Sequence, residues 1–195
     1  MIATCLGLSL LLSCGVHAQP ESRLAPSGTT LNVPSQYATI QAAIDAAETG
    51  DTILVAPGRY AEHIRVDYKD VTILGTGGAA QTVIETAGDA AISYFNGGGD
   101  LSGFTLTTTP GQTGFGINVN EGHHPFRIHE CVFDGIHGTF GAGAAILTIN
   151  SIATIDRNLF RDVSQGGDTQ FGAGVITVES GAVTIVNNVF EHNQT

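Results

Sequence analysis

The amino-acid sequence predicts an all-β chain wound into a coil of stacked β-rungs, a parallel β-helix or solenoid, with an α-helix capping its N-terminal end. A six-residue segment with apolar first and last positions occurs four times, at residues 101–106, 128–133, 155–160 and 185–190. A second segment keeps nearly the same spacing and aligns Val119, Ile149 and Val178. Both alternate apolar and polar residues, which is typical of short strands with one buried face. Two motifs that repeat in phase indicate a repeat architecture, whereas a β-sandwich, the alternative, gives no reason for that phase.

Stacking explains why such short strands are stable. One rung cannot bury its apolar face alone, but rungs about 4.8 Å apart place equivalent residues over one another and pair every backbone amide. We therefore expect Phe133, Phe160 and Phe190 to form an interior column that Leu106 continues. The fourth position of the unit is expected to be a bend, where asparagine adopts the left-handed conformation and bonds to its stacked copy. That position holds Phe104, Cys131, Asn158 and Asn188.

The N-terminal residues predict export. Residues 1–18 are apolar and end in a Val-x-Ala pattern before Gln19, which is typical of a cleaved signal peptide. This run is shorter than the roughly 20 residues that span a membrane. The alternative is a lipid anchor at Cys14, because residues 11–15 resemble a bacterial lipoprotein motif. We expect a secreted, periplasmic or cell-envelope protein of bacterial type, with residues 19–30 as a linker.

Composition limits the partners. The chain of 195 residues has 7 Lys and Arg against 18 Asp and Glu, a net charge of −11. Nucleic acid is excluded as a partner, because its binding depends on a basic surface. An acidic surface suits neutral or cationic polysaccharides, or acidic ones held through Ca²⁺, although net charge also simply keeps a secreted protein soluble. After cleavage only Cys131 remains, so no internal disulfide forms, and we expect a monomer.

Residues 31–195 are predicted to form one domain, with residues 31–60 as its N-terminal cap and first strands. An amphipathic helix is expected there, begun by Ser35 or Thr39 and ended by Gly50. Its apolar positions are Ile40, Ala43, Ile44 and Ala47. Laid across the first rung, this helix would cover an otherwise unpaired strand edge.

The same region resembles a known family. Residues 38–47 (ATIQAAIDAA), 50–62 (GDTILVAPGRYAE) and 71–75 (VTILG) are similar to the opening of right-handed parallel β-helix proteins of the pectin-lyase-like superfamily, especially pectin methylesterases. The resemblance implies the right-handed fold and a link to polysaccharides. It implies no catalytic set, because the Gln-Asp pair and the Asp-Phe-Ile-Phe-Gly motif of pectin methylesterases do not occur here. Of the polygalacturonase motifs, only His137-Gly138 is present.

Two exterior columns supply the candidate catalytic residues. One column aligns Thr107, Asp134, Arg161 and Glu191, and the other aligns Gly103, Glu130, Arg157 and Asn187. Arginine beside carboxylates is what a polysaccharide lyase needs, since a base removes a proton and a cation or Ca²⁺ stabilises the enolate. The structural alternative is a set of cross-strand ion pairs worth about 0.2–1 kcal/mol each. The candidates are Asp134, Arg161, Asp162, Asp156 and Arg157.

Two long loops, at residues 135–143 and 165–174, are expected to wall a groove. The predicted substrate-binding residues are His137, Phe140 and Asp168, and Phe171 is expected beside them, although the two phenylalanines serve equally well to cover the core. His123, His124, His129 and Cys131 lie close in sequence, and imidazole and thiolate bind metals. We nevertheless expect no metal site there, which leaves Ca²⁺ as the cofactor to test.

The sequence ends directly after a rung motif, which predicts that the domain continues beyond Thr195. Together these patterns predict a secreted module that binds or acts on polysaccharide. Lyase chemistry is preferred over glycoside hydrolysis or carbohydrate ester cleavage. The alternative is a non-catalytic surface or adhesion scaffold.

Overall fold

The computed structural model describes residues 28–88, 90–138, 145–165 and 174–194. The predicted signal peptide, the Cys14 anchor, most of the linker, Phe140, Asp168 and Phe171 lie outside these ranges. Within them, no helix is long and apolar enough to cross a membrane.

The chain begins with strand β1 (Thr30–Val33) and helix α1 (Ile40–Ala46) and then winds through five turns. The first three turns are β2 (Thr52–Val55), β3 (Gly58–Ala61) and β4 (Ile64–Asp67); β5 (Asp70–Gly75), β6 (Thr82–Thr86) and β7 (Ala90–Phe95); and β8 (Gly98–Ser102), β9 (Thr105–Thr108) and β10 (Phe115–Asn120). The next two turns are β11 (Phe126–His129), β12 (Val132–Asp134), β13 (His137–Gly138) and β14 (Ile146–Ile149); and β15 (Ser151–Asp156), β16 (Leu159–Arg161), β17 (Ser164–Gln165) and β18 (Ile176–Val178). The last two strands are β19 (Gly181–Val186) and β20 (Val189–Glu191).

Successive turns stack into three parallel sheets, which confirms the predicted β-helix. Sheet A contains β1-β2-β5-β8-β11-β15-β19, sheet B contains β3-β6-β9-β12-β16-β20, and sheet C contains β4-β7-β10-β14-β18. The short strands β13 and β17 form a fourth, two-stranded pair. Because alternate residues of each strand face inward, the three sheets enclose one apolar core and present three polar outer faces.

The predicted stacking of the three phenylalanines is confirmed, but only Phe133 and Phe160 are interior, because Phe190 in the last turn is 50% exposed. Phe133 lies in register with Leu106 on one side and with Phe160 on the other, and Phe160 lies in register with Phe190. The ring centroids are 4.7 and 4.9 Å apart, with the planes within 11° and 10° of parallel. The column follows from the repeat, since each turn brings the same position over its copy.

At the bend between sheets A and B, the predicted left-handed position was wrong by one residue. Positive φ occurs at the third position of the unit, with values of 78° at Gly103, 54° at Glu130, 55° at Arg157 and 56° at Asn187. The fourth position instead turns inward, where Asn158 is buried. The third residue makes the bend, and the fourth side chain then points into the core whether it is Phe104, Cys131 or Asn158.

The predicted hydrogen bonds between stacked asparagines are confirmed. Asn158 Oδ1 accepts from the Cys131 amide at 3.0 Å, and Asn158 Nδ2 donates to Ile128 O at 3.0 Å. One turn later, Asn188 Oδ1 accepts from the Asn158 amide at 2.9 Å. These contacts form an asparagine ladder along one corner of the coil.

In sheet C the predicted alignment of Ile149 was wrong by one residue. Val119 lies in register with Thr148, which in turn lies in register with Val178, whereas Ile149 lies opposite Asn120. Thr148 is buried, because the strand alternates and Ile146 already sets the inward phase. The sequence analysis aligned the apolar Ile149 instead of Thr148, and it therefore predicted the wrong side of this strand to be buried.

Helix α1 packs against strands β1, β2 and β4. Thr39 is its N-cap and accepts from the Ala42 amide at 3.1 Å, and the Glu62 carboxylate accepts from the Ile40 and Gln41 amides at 3.2 and 3.1 Å. The helix ends at Ala46, so Gly50 does not end it.

Candidate functional site

The predicted pair of Asp134 and Arg161 lies on the outer face of sheet B. Arg161 Nη2 is 2.6 Å from Asp134 Oδ2, and Glu191 follows in register. Hydrogen bonding to Asp134 raises the pKa of Arg161, so the guanidinium keeps its charge. Arg161 is therefore a stable cation and not a base.

A shallow cavity of about 180 Å³ lies at the next corner and brings two predicted residues together. Its lining residues are His137, Asp162, Val163, Ser164, His192 and Gln194. His137 Nδ1 is 2.7 Å from Ser164 Oγ, the residue stacked on it in register. Asp162 has a φ of 52° and directly follows Arg161. The other two predicted substrate-binding residues, Phe140 and Asp168, lie outside the described residues.

Asp156 and Arg157 lie elsewhere, at the end of a strand in sheet A. Asp156 is buried and accepts from Arg127 Nε and Nη2 at 2.8 and 2.9 Å, and it also contacts Arg157 Nη1. These bonds, led by those from Arg127, lower the pKa of the Asp156 carboxyl. Arg157 in turn contacts Glu130 Oε1 at 3.0 Å. The two residues thus belong to an ion-pair network that binds neighbouring turns to each other.

The histidines and the cysteine are placed separately. His124 Nδ1 is 2.9 Å from Asp70 Oδ2, and His129 Nε2 is 2.7 Å from Asp100 Oδ1. Burial raises the pKa of the Cys131 thiol to about 12, so it is not a thiolate at neutral pH. In the part of the chain that the structure describes, no three His, Cys, Asp or Glu side chains are arranged to hold a metal ion.

The outer face of sheet C carries a polar groove that the sequence analysis did not single out. A cavity of about 270 Å³ is lined by His63, Arg65, Asp67, Ser93, Tyr94, Phe95, Asn118 and Asn120. A second cavity, of about 320 Å³, lies between helix α1 and strand β4 and shares His63, Arg65 and Asp67 with the first. The two cavities therefore adjoin, and we call them together the sheet C groove.

Strand register explains how the sheet C groove forms. Arg65, Ser93 and Asn118 lie in one outward row, and Asp67, Phe95 and Asn120 lie in another. Each row crosses three turns of the coil, so its side chains are about 4.8 Å apart from turn to turn. Gln41 of α1 closes one end, since its Oε1 accepts from the Arg65 amide at 2.7 Å.

An aromatic corner borders this groove. Tyr68 follows strand β4, has a φ of 56° and is 66% exposed. Its ring meets Phe95 edge-on, with centroids 5.4 Å apart and planes at 78°. Phe95 itself lines the groove. An exposed tyrosine ring packed on a partly buried phenylalanine, beside polar side chains, offers both an apolar surface and hydrogen-bonding groups.

A signal for this groove was present in the sequence. The polar residues at alternate positions of Arg65–Asp67 and Asn118–Asn120 mark the outer face of two strands. However, the repeat is irregular before residue 101, so the strand with Arg65 and Asp67 could not be aligned by motif with the strand that carries Asn118 and Asn120.

The chain is similar in structure to a solved pectin methylesterase from Aspergillus niger, with 14% sequence identity and a TM-score of 0.43, over 88% of this chain and 86% of the other. No model of a known protein family matches the chain, and no curated protein matches its sequence. A similarity at this level carries no argument about function, which is therefore inferred from the chain's own side chains.

Proposed function

We propose that this chain is a polysaccharide-binding β-helix module whose ligand lies along the sheet C groove. The observation that carries the proposal is the exposed Tyr68 ring, packed edge-on against Phe95 at the border of that groove. Sugar rings have apolar faces that pack on aromatic rings and hydroxyls that need hydrogen-bond partners. The groove supplies both within three turns of a rigid coil.

The shape of the groove favours a polymer. Its two adjoining cavities extend from helix α1 across the outer face of sheet C, and both are open to solvent. An open groove of this kind contacts successive units of a chain, whereas a small ligand is usually enclosed in a pocket. The proposal includes export of the module to the cell envelope or the medium, where such polymers are found.

The test is the variant Tyr68→Ala, measured against a panel of soluble polysaccharides by affinity electrophoresis and calorimetry. We expect the variant to bind about tenfold more weakly, which corresponds to about 1.4 kcal/mol. Its melting temperature should stay close to that of the wild type, because the Tyr68 side chain is exposed.

The control is Ile152→Ala, which removes an exposed apolar side chain from the outer face of sheet A. It should bind as the wild type does. Failure of the wild type to bind any polysaccharide, or unchanged binding by Tyr68→Ala, would rule the proposal out and leave the scaffold interpretation.

Lyase-type cleavage is a second candidate, supported by the cavity that Asp162, the residue after Arg161, helps to line. β-Elimination needs a base for the sugar proton and a positive charge for the enolate. His137, His192 and Asp162 line that cavity and are the candidate bases, and Arg161 is the candidate cation.

Cleavage is tested by following the ultraviolet absorbance of unsaturated products from a panel of polyuronates, with and without Ca²⁺. If the module is a lyase, Asp162→Asn should lower the rate at least about a hundredfold, in line with the usual contribution of a general acid or base. Glu48→Gln, an exposed substitution outside both cavities, should leave the rate unchanged. No absorbance change with any polyuronate would exclude this candidate and leave the binding proposal intact.

A further inference from the structure

The sheet C groove contains two acceptor atoms with no donor from the protein. Among the described residues, Asp67 Oδ1 and Asn118 Oδ1 are buried and accept no hydrogen bond. Both residues line the same cavity; Tyr94 lines it too, but its unpartnered hydroxyl belongs to a side chain that is buried in the core. A buried acceptor without a donor is unfavourable, so a ligand bound against these two side chains is favoured if it brings O–H or N–H groups to them.

The positive charges in the groove are already paired. Arg65 Nη2 is 2.9 Å from Asp67 Oδ2. Lys69 Nζ donates to the carbonyls of Ile44 and Asp45, at 2.8 and 3.2 Å, near the C-terminal end of helix α1. Arg65 and Lys69 are matched in number by the carboxylates of Asp45 and Asp67, so this part of the groove is neutral overall.

The unpaired acceptor oxygens and the already bound cations together indicate the chemical class of ligand that the groove favours. A uronate brings a negative charge and two more acceptors to a groove in which Arg65 and Lys69 already bind protein groups and the oxygens of Asp67 and Asn118 lack donors. A hydroxymethyl group brings a donor and no charge. We infer that the sheet C groove selects glycans of uncharged, hydroxyl-bearing sugars and discriminates against polyuronates. This inference rests on the proposed polysaccharide binding.

The experiment compares matched ligands, namely polygalacturonate, alginate and glucuronan, each with its carboxyl-reduced counterpart of the same backbone and length. Affinity for the full chain is measured by calorimetry at low ionic strength. We expect the reduced polymer of any pair that binds to bind at least about tenfold more tightly than the carboxylated one. Equal or tighter binding of the carboxylated polymer overturns this inference and leaves the proposed function standing.

The variant Asn118→Leu tests the orphaned acceptor itself. It removes an unpaired buried oxygen, so we expect the melting temperature to stay the same or rise while affinity for the reduced polymer falls about tenfold. A purely structural role for Asn118 would lower the melting temperature instead.

The matched control is Thr154→Val, an outward substitution in sheet A that should change neither quantity. Unchanged binding by Asn118→Leu overturns the inference. If neither polymer of any pair binds the wild type, and no other polysaccharide does, the proposed function itself fails.

Discussion

At the scale of single residues, Asp156 connects the charged side chains of sheet A. It receives two hydrogen bonds from Arg127 of the preceding turn and contacts Arg157 beside it. Both arginines are partly exposed, whereas the carboxylate is buried. The interaction is therefore asymmetric, because the buried acceptor depends on its donors more than the exposed cations depend on it.

The lowered pKa of Asp156 predicts a pH dependence of stability. Its folded-state pKa lies below the ordinary value of about 3.9, so its contribution is full above that pH and disappears as the pH falls through the folded-state value. Asp156→Asn should lose about 1–3 kcal/mol at pH 7. The difference from the wild type should narrow at pH 3.

Urea denaturation at both pH values, followed by circular dichroism, measures this difference. Glu179→Gln is the control, since Glu179 is exposed and should have little effect at either pH. A deficit for Asp156→Asn that is the same size at pH 3 as at pH 7 would contradict the assignment.

Sequence alone predicted the ion pair of Asp134 and Arg161 but not the ion pair of Arg127 and Asp156. Asp134 and Arg161 occupy equivalent positions of successive turns, so the repeat alignment placed them together. Arg127 lies in register with Thr154, and it reaches Asp156 only diagonally. That contact depends on the length and rotamer of a side chain, which a periodic pattern does not record.

At the scale of structural elements, the asparagine ladder determines how tightly the corner between sheets A and B is held. Asn158 is 2% exposed and bonds to the Cys131 amide, the Ile128 carbonyl and Asn188. Asn188 makes the equivalent bonds one turn later, but it is only partly buried. Equivalent hydrogen bonds are thus made by one buried asparagine and by one that is partly buried.

This difference predicts unequal effects of truncation. Asn158→Ala leaves a buried amide and a buried carbonyl without partners, so we expect a loss of about 2–4 kcal/mol in the free energy of unfolding. Asn188→Ala should lose roughly half as much, because water reaches the groups that it exposes. Equilibrium unfolding of both variants, with Thr184→Ala as an exposed control, measures the two losses. Equal losses for the two asparagines would show that burial does not govern the ladder.

The candidate site was only partly predicted, because the repeated motif covers some strands of the coil and not others. The repeated unit covers the strands of sheets A and B, and there the stacking of the phenylalanines was predicted correctly. In sheet C the strand at residues 146–149 was shifted by one residue, and such a shift exchanges the inner and outer faces. That strand does not line the sheet C groove, whose side chains come mainly from helix α1 and strands β4, β7 and β10. Strands β4 and β7 precede the repeated motif, so their outward side chains could not be aligned with those of β10.

At the scale of the whole molecule, the coil was predictable because its physics is one-dimensional. Each turn contacts only its neighbours, so a regular period in the sequence is enough to specify the stacking. The groove depends instead on the first three turns and on helix α1, where the period is irregular. Its aromatic corner arises from Tyr68 and Phe95, whose sequence positions show no relation until the strands are in register.

Because inward and outward side chains are separate, the outer surface of the coil can evolve independently of its core. In strand β10, Ile117 and Val119 pack into the core, while Asn118 and Asn120 line the groove. Under the proposed function, replacing an outward residue would change ligand binding without changing the core packing, and the charged network of sheet A lies on another face. Selection, or an engineer, can therefore retarget this surface one side chain at a time while the scaffold stays constant.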